Sequence, residues 1–183
     1  LYRKQARFQL ITTGRISQKS LLFEDQHLER LTKASRYFSF PFDPEELRQK
    51  IEEECQACDS HQDYRLRISL SKSGEMELSR QVLTPLSPTF CKAKLCLQEA
   101  DLNQAFTYFK TTHRPHLSLG KQEIIYHNAA GELLETSIGN LVLKIAGKLY
   151  TPPTSLGILP GIYRQYLLER GQVEEKVLTL ADL

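Results

Sequence analysis

The chain is 183 residues long, 40% hydrophobic and 25% charged, with a formal net charge of +2. That length allows one large domain or two small lobes, with a core that needs no disulfide staples. That charge, with basic and acidic residues interspersed, argues neither for nor against a polyanionic partner, so no nucleic-acid partner is expected, and no apolar run approaches the ~20 residues of a membrane span.

The start, Leu1-Tyr2-Arg3-Lys4-Gln5, lacks the apolar core of a signal peptide, so a cytoplasmic location is expected. Residues 8–16 have strand composition, and 17–20 turn the chain into a short second strand at Leu21-Leu22-Phe23. Asp25 is expected as the N-cap of a helix with Leu28, Leu31, Ser35 and Phe38 on one side. His27 and Arg30 lie near its start, and His27 reads as part of a solvated helix face. Asp43-Pro44 opens a second helix, Leu47, Ile51, Cys55 and Cys58 facing inward. Cys55 and Cys58 have a metal-like spacing, but Cys91 and Cys96 do not complete a zinc pattern. Free thiols and no metal are expected.

Three strands follow, at 64–70, 76–82 and 91–97. The first two alternate around Lys72-Ser73-Gly74, which is hairpin chemistry. With residues 8–23 they suggest one antiparallel sheet flanked by two helices, an α+β lobe, and 83–88 is expected to cross its edge. Leu102, Ala105, Phe106 and Phe109 have helical spacing before Pro115. We therefore divide the chain into an α+β lobe at 1–105 and a strand-rich lobe at 106–183. The second lobe opens with a strand at 123–126 and a turn at 128–131 into 132–136.

The stretch from Glu135 to Arg164 reads as strand, hairpin, polar loop and helix start. Residues 140–145 alternate, Ala146-Gly147 makes a tight turn, and Lys148-Leu149-Tyr150 returns antiparallel until Pro152 and Pro153 end the ladder. Pro160-Gly161 precedes a helical spacing over 162–170, and the glycine lets the backbone approach something closely. The first N–H groups of such a helix favour an anion, although the same segment also reads as a plain turn. A strand at 173–178 and a capped helix start at Thr179 close the chain.

Taken together, Glu135-Thr-Ser-Ile-Gly-Asn140-Leu141, Tyr150-Thr151-Pro152 and Gly157-Ile-Leu-Pro-Gly161-Ile-Tyr-Arg164 resemble the class IV pyridoxal-phosphate enzymes. These are the branched-chain and D-amino-acid aminotransferases and aminodeoxychorismate lyase. His27-Leu-Glu-Arg30-Leu31 and Phe109-Lys110-Thr-Thr-His-Arg114 extend the resemblance, in the same chain order, over roughly 8–183. The resemblance implies a two-lobed fold of that family and pyridoxal 5'-phosphate (PLP) as cofactor. Lys110 then corresponds to the lysine that forms a Schiff base with the cofactor aldehyde, Glu135 to the carboxylate on the pyridine nitrogen, and Arg30 to an arginine on the phosphate. Ile162 and Tyr163 stand where backbone N–H groups hold the phosphate, and Ser137 and Ile138 are placed among the cofactor contacts. Spacing alone would not single out Lys110 from the other lysines. A homodimer and a small amino-acid-like substrate are also implied.

Several features depart from the longer relatives. The family's preceding Asp-Arg-Gly strand is not in this chain, the Lys110-to-Glu135 spacing is shorter by about a helix, and a segment that supplies another phosphate hydroxyl does not follow Leu183. Lys72-Ser73 replaces an Arg-Gly that can grip a carboxylate, and a point charge is not a bidentate fork. Ile11-Thr12-Thr13-Gly14-Arg15 and Gly161-Ile-Tyr-Arg-Gln165 lean toward the lyases. The expected activity is elimination giving 4-aminobenzoate and pyruvate. The alternatives are amino-acid transamination and a PLP fold without turnover.

Overall fold

Hairpin chemistry opens the described chain. β1 (Leu10–Ser17) and β2 (Ser20–Leu21) pair antiparallel through Ile16–Leu21 and Ser17–Ser20. Gln18 and Lys19 between them have φ of 50° and 60°, the left-handed turn whose twist matches that of the strands. The computed structural model describes residues 8–84, 92–98, 104–117 and 123–183. The chain divides into two compact units, one of Leu1–Ser87 with Lys110–His113 and one of Pro88–Phe109 with Arg114–Leu183.

In the first unit β3 (Tyr64–Leu70) and β4 (Met76–Val82) extend the hairpin into an antiparallel sheet of order β2-β1-β3-β4. Strand alternation puts Leu10, Thr12 and Ile16 with Leu66, Ile68 and Leu70 on one buried face. α1 (Glu24–Phe38) packs against β1, and α2 (Pro44–Gln56) against β2 and β4. Leu28, Leu31, Leu47 and Ile51 supply the helical side of that core. Asp43 caps α2 as expected, accepting from Glu45 N at 2.9 Å and Glu46 N at 3.4 Å. Asp25 does not cap α1. Phe23, in the left-handed region, is the N-cap, and Asp25 sits in the first turn, where it and Glu24 meet Arg48 of α2 at 3.1 and 2.6 Å.

The second unit holds two three-stranded sheets. β5 (Ala93–Leu97), β6 (Glu123–His127) and β7 (Leu133–Thr136) run in the order β5-β6-β7. The strand expected to join the first sheet is thus elsewhere: β5 pairs parallel with β6. Its alternation fits any half-exposed ladder, and a parallel partner needs a long crossover that leaves no local turn signal. β8 (Leu143–Ile145) and β9 (Lys148–Thr151) form the expected hairpin, with Ala146 and Gly147 at φ 48° and 85°. The strand expected over 173–178 is reduced to β10 (Glu174–Glu175), parallel to β9. α3 (Gln104–Tyr108) and α4 (Ile162–Glu169) complete the unit, and Thr179 and Asp182 form a capping box.

Successive β7 side chains face different cores. Leu134 joins Leu117, Tyr126 and Ile158, whereas Leu133 joins Leu141 and Leu178. Cys55, Cys58 and Cys96 are free thiols, and Cys91, Leu102 and 85–88 lie outside the described residues. Among the described residues no group of side chains could hold a metal ion, and no helix is long and apolar enough to cross a membrane.

Candidate active site

In the first unit three basic side chains converge. Lys110 is carried on a short edge segment against β1: Ile11 N donates to Lys110 O at 2.9 Å, Leu10 and Thr111 are bridged, and Thr112 N donates to Gln9 O at 2.9 Å. Both Lys110 and Arg30 lie within electrostatic reach of His27. His27 is not on a solvated face. It is 3% exposed, turned inward onto β1, with Nδ1 2.6 Å from Thr12 Oγ1. Burial first, then the charges of Arg30 and Lys110, lower its pKa from 6.5 to about 4, so the ring is neutral. A Cβ on Gly14 would come within 2.6 Å of His27 Nε2, so the glycine makes room for the imidazole.

In the second unit Glu135, on β7, is 2% exposed and faces Arg114, whose Nη2 donates to Glu135 Oε1 at 3.2 Å. The pair is nearly dry, with side-chain exposures of 15% and 3%, and Arg114 Nε is buried without a hydrogen-bond partner. Beyond Glu135 the chain doubles back. Thr136 N donates to Gly139 O at 2.8 Å, and the backbones of Glu135 and Asn140 form an antiparallel bridge. Ser137 Oγ donates to Glu123 Oε2 at 3.0 Å and accepts from Ile124 N at 3.3 Å, so this hydroxyl is engaged by β6. Ile138, at the tip, is 74% exposed.

Gly161 is the N-cap of α4 and offers no side-chain cap to the first turn, which begins with Ile162 and Tyr163. The close approach expected there is made by Asn140. Its Nδ2 donates to Leu159 O at 2.8 Å, and a Cβ on Gly161 would overlap its amide oxygen. Arg164, 4% exposed, ties the helix to Pro152 O at 2.8 Å and to Glu175. Tyr163 stacks on Tyr166 at 5.8 Å, and Arg170 lies over Tyr166 at 4.8 Å. Lys72 is exposed, in the turn between β3 and β4.

The donor set suits an anionic aldehyde with a basic ring nitrogen. A primary amine and a guanidinium converge in one unit, and a buried carboxylate and an uncapped helix start lie in the other. Thr12, Gly14 and Asn140 belong to the quoted segments, but the sequence assigns them no individual role. A threonine and a glycine among apolar residues on the inward face of β1 were the available signal, since a buried hydroxyl requires a partner. Asn140 stands in the motif series, but its contact with Leu159 O spans 19 residues and no local spacing encodes it.

A sequence profile described as Amino-transferase class IV matches residues 9–183. The chain belongs to that family. Class IV enzymes depend on PLP. This class IV chain is 26% identical to aminodeoxychorismate lyase of Saccharomyces cerevisiae, over 66% of the chain and 46% of that protein, and so spans about half the length of that relative. Among solved structures, one from Mesorhizobium loti, provisionally named an amino-acid aminotransferase, is 28% identical with a TM-score of 0.79, covering 96% of this chain and 89% of that one. A hypothetical aminotransferase from Mycobacterium tuberculosis, with α-ketoglutarate and PMP bound, has a TM-score of 0.74 at 21% identity, covering 95% and 73%. The fold of this class IV member is α+β, as the sequence leads one to expect.

Proposed function

We propose that this chain is a PLP enzyme acting on an amino-acid-like substrate, with a leaning to elimination that yields 4-aminobenzoate and pyruvate. PLP supplies an aldehyde that captures amines and a pyridinium ring that withdraws electrons. Lys110 would be the residue that holds the aldehyde through its primary amine, and the same amine would serve as the base toward the substrate's α-proton. Arg30 offers a planar fork to phosphate oxygens, and the N–H groups of Ile162 and Tyr163 add the positive end of α4. Glu135 would face the ring nitrogen, and Arg114 orients that carboxylate through its Nη2 donor at 3.2 Å. Ser137 and Ile138 stand on the turn beyond Glu135.

The observation that carries this reading is the buried Glu135, 2% exposed and ion-paired to Arg114. Dry ion pairs are often matched in stability by apolar residues of similar volume, so a charge kept in the interior of a site motif points to chemistry. The yeast lyase relative and the Thr12-Thr13-Gly14-Arg15 segment favour elimination. Transamination uses the same residues, and a fold that takes up no cofactor is the third reading. A small-molecule substrate, a homodimer and a cytoplasmic location complete the proposal.

The test is to incubate the chain and its Lys110→Ala variant with PLP and aminodeoxychorismate, and in parallel with amino acid and oxo acid pairs. We expect 4-aminobenzoate and pyruvate from the unaltered chain and neither from the variant. New amino acids without 4-aminobenzoate would replace elimination by transamination, and no cofactor uptake would remove both.

A further inference from the structure

We infer that Asn140 is a positioning residue that fixes the spacing between the Glu135 carboxylate and the start of α4, so that one ligand can engage both. This rests on the cofactor role proposed above. Glu135 and Asn140 close one short turn: their backbones are bridged, Thr136 N donates to Gly139 O at 2.8 Å, and Thr136 Oγ1 accepts from Gly139 N at 3.1 Å. From that rigid turn the Asn140 side chain reaches the loop before α4, where Nδ2 donates to Leu159 O at 2.8 Å.

The amide oxygen lies against Gly161, where a Cβ would also come within 3.1 Å of Asn140 Cγ. One side chain thus grips the loop at its carbonyl and occupies the space where the N-cap side chain would be. Asparagine meets both needs, since only the amide donates to a carbonyl while presenting a flat oxygen to a glycine. Aspartate has the same shape but sets a carboxylate oxygen against Leu159 O and loses the donor.

PLP is bivalent toward this unit, with its ring nitrogen for Glu135 and its phosphate for the helix start. Two tethered contacts reinforce each other only when their separation matches the ligand. Pyridoxal and inorganic phosphate each need only one of the two. The experiment titrates the full chain and its Asn140→Asp and Asn140→Ala variants with PLP, pyridoxal and inorganic phosphate, following absorbance or thermal unfolding. We expect PLP to bind about tenfold or more weakly to both variants, while pyridoxal and phosphate shift by less than about twofold. In a Gly161→Ala background, where the added methyl already meets Asn140, replacing Asn140 by alanine is expected to cost nothing further.

Unchanged PLP affinity in both variants overturns the inference. So does a parallel loss of all three ligands, which marks a general loss of fold. If the unaltered chain takes up no PLP, the proposed function itself fails and the inference falls with it.

Discussion

His27 shows how one residue records its surroundings. It is buried against Thr12, and burial together with the charges of Arg30 and Lys110 depresses its pKa from 6.5 to about 4. As pH falls, the unfolded chain therefore takes up this proton before the folded one does. The stability tied to His27 is complete above about pH 6.5 and is lost progressively down to about pH 4, amounting to roughly 3 kcal/mol. Urea unfolding at stepped pH is expected to show this slope in the native chain and to lose it in His27→Gln, which keeps a polar side chain without the titration. Identical slopes would mean that the imidazole is as accessible folded as unfolded. Arg114 and Glu135 mark the opposite solution, in which a charge is kept in the interior because its counter-charge is there too.

At the scale of elements, β1 and α1 meet where Gly14 leaves room for His27. A methyl there would lie 2.6 Å from His27 Nε2 and 2.7 Å from Leu21 Cδ1, so Gly14→Ala is expected to cost about 1–3 kcal/mol by overpacking. Combining it with His27→Ala should recover part of that cost, as the imidazole contact is gone. Chemical denaturation of the three variants checks this, and equal stability of Gly14→Ala and the native chain would refute the packing. The same elements show what the sequence could tell. Period-two alternation and turn residues located β1, β3, β4 and the β8–β9 hairpin, and the Asp43-Pro44 pair located the start of α2. The inward face of α1 was harder, because His27 is polar and its partner Thr12 lies on another element. The partner of β5 was beyond reach for a related reason: its ladder is parallel to β6, and nothing in either strand specifies the other. In the site, Lys110 and Glu135 were legible only through the motif series, whereas Asn140 and Arg164 act through contacts that no local spacing encodes.

At the scale of the molecule, the chain leaves the second unit at Lys110, lays four residues against the first, and returns at Arg114. The groups assigned to the cofactor are consequently divided. Arg30 and Lys110 belong to one unit, and Glu135, Ile162 and Tyr163 to the other. A ligand that only the folded state binds stabilises it by mass action, by about 2.7 kcal/mol at a hundred times its dissociation constant. A unit whose groups hold the ligand opens less often, so the amides that exchange through its opening slow by the matching factor. With PLP at that excess, native-state hydrogen exchange at the ladder amides of β1 is expected to slow about a hundredfold if Lys110 and Arg30 hold it, and at those of β9 if Glu135 and the start of α4 hold it. Protection confined to β1 would show that Lys110 and Arg30 bind alone and that Glu135 and the start of α4 have been misassigned. Protection confined to β9 would remove Lys110 and Arg30 from the site instead.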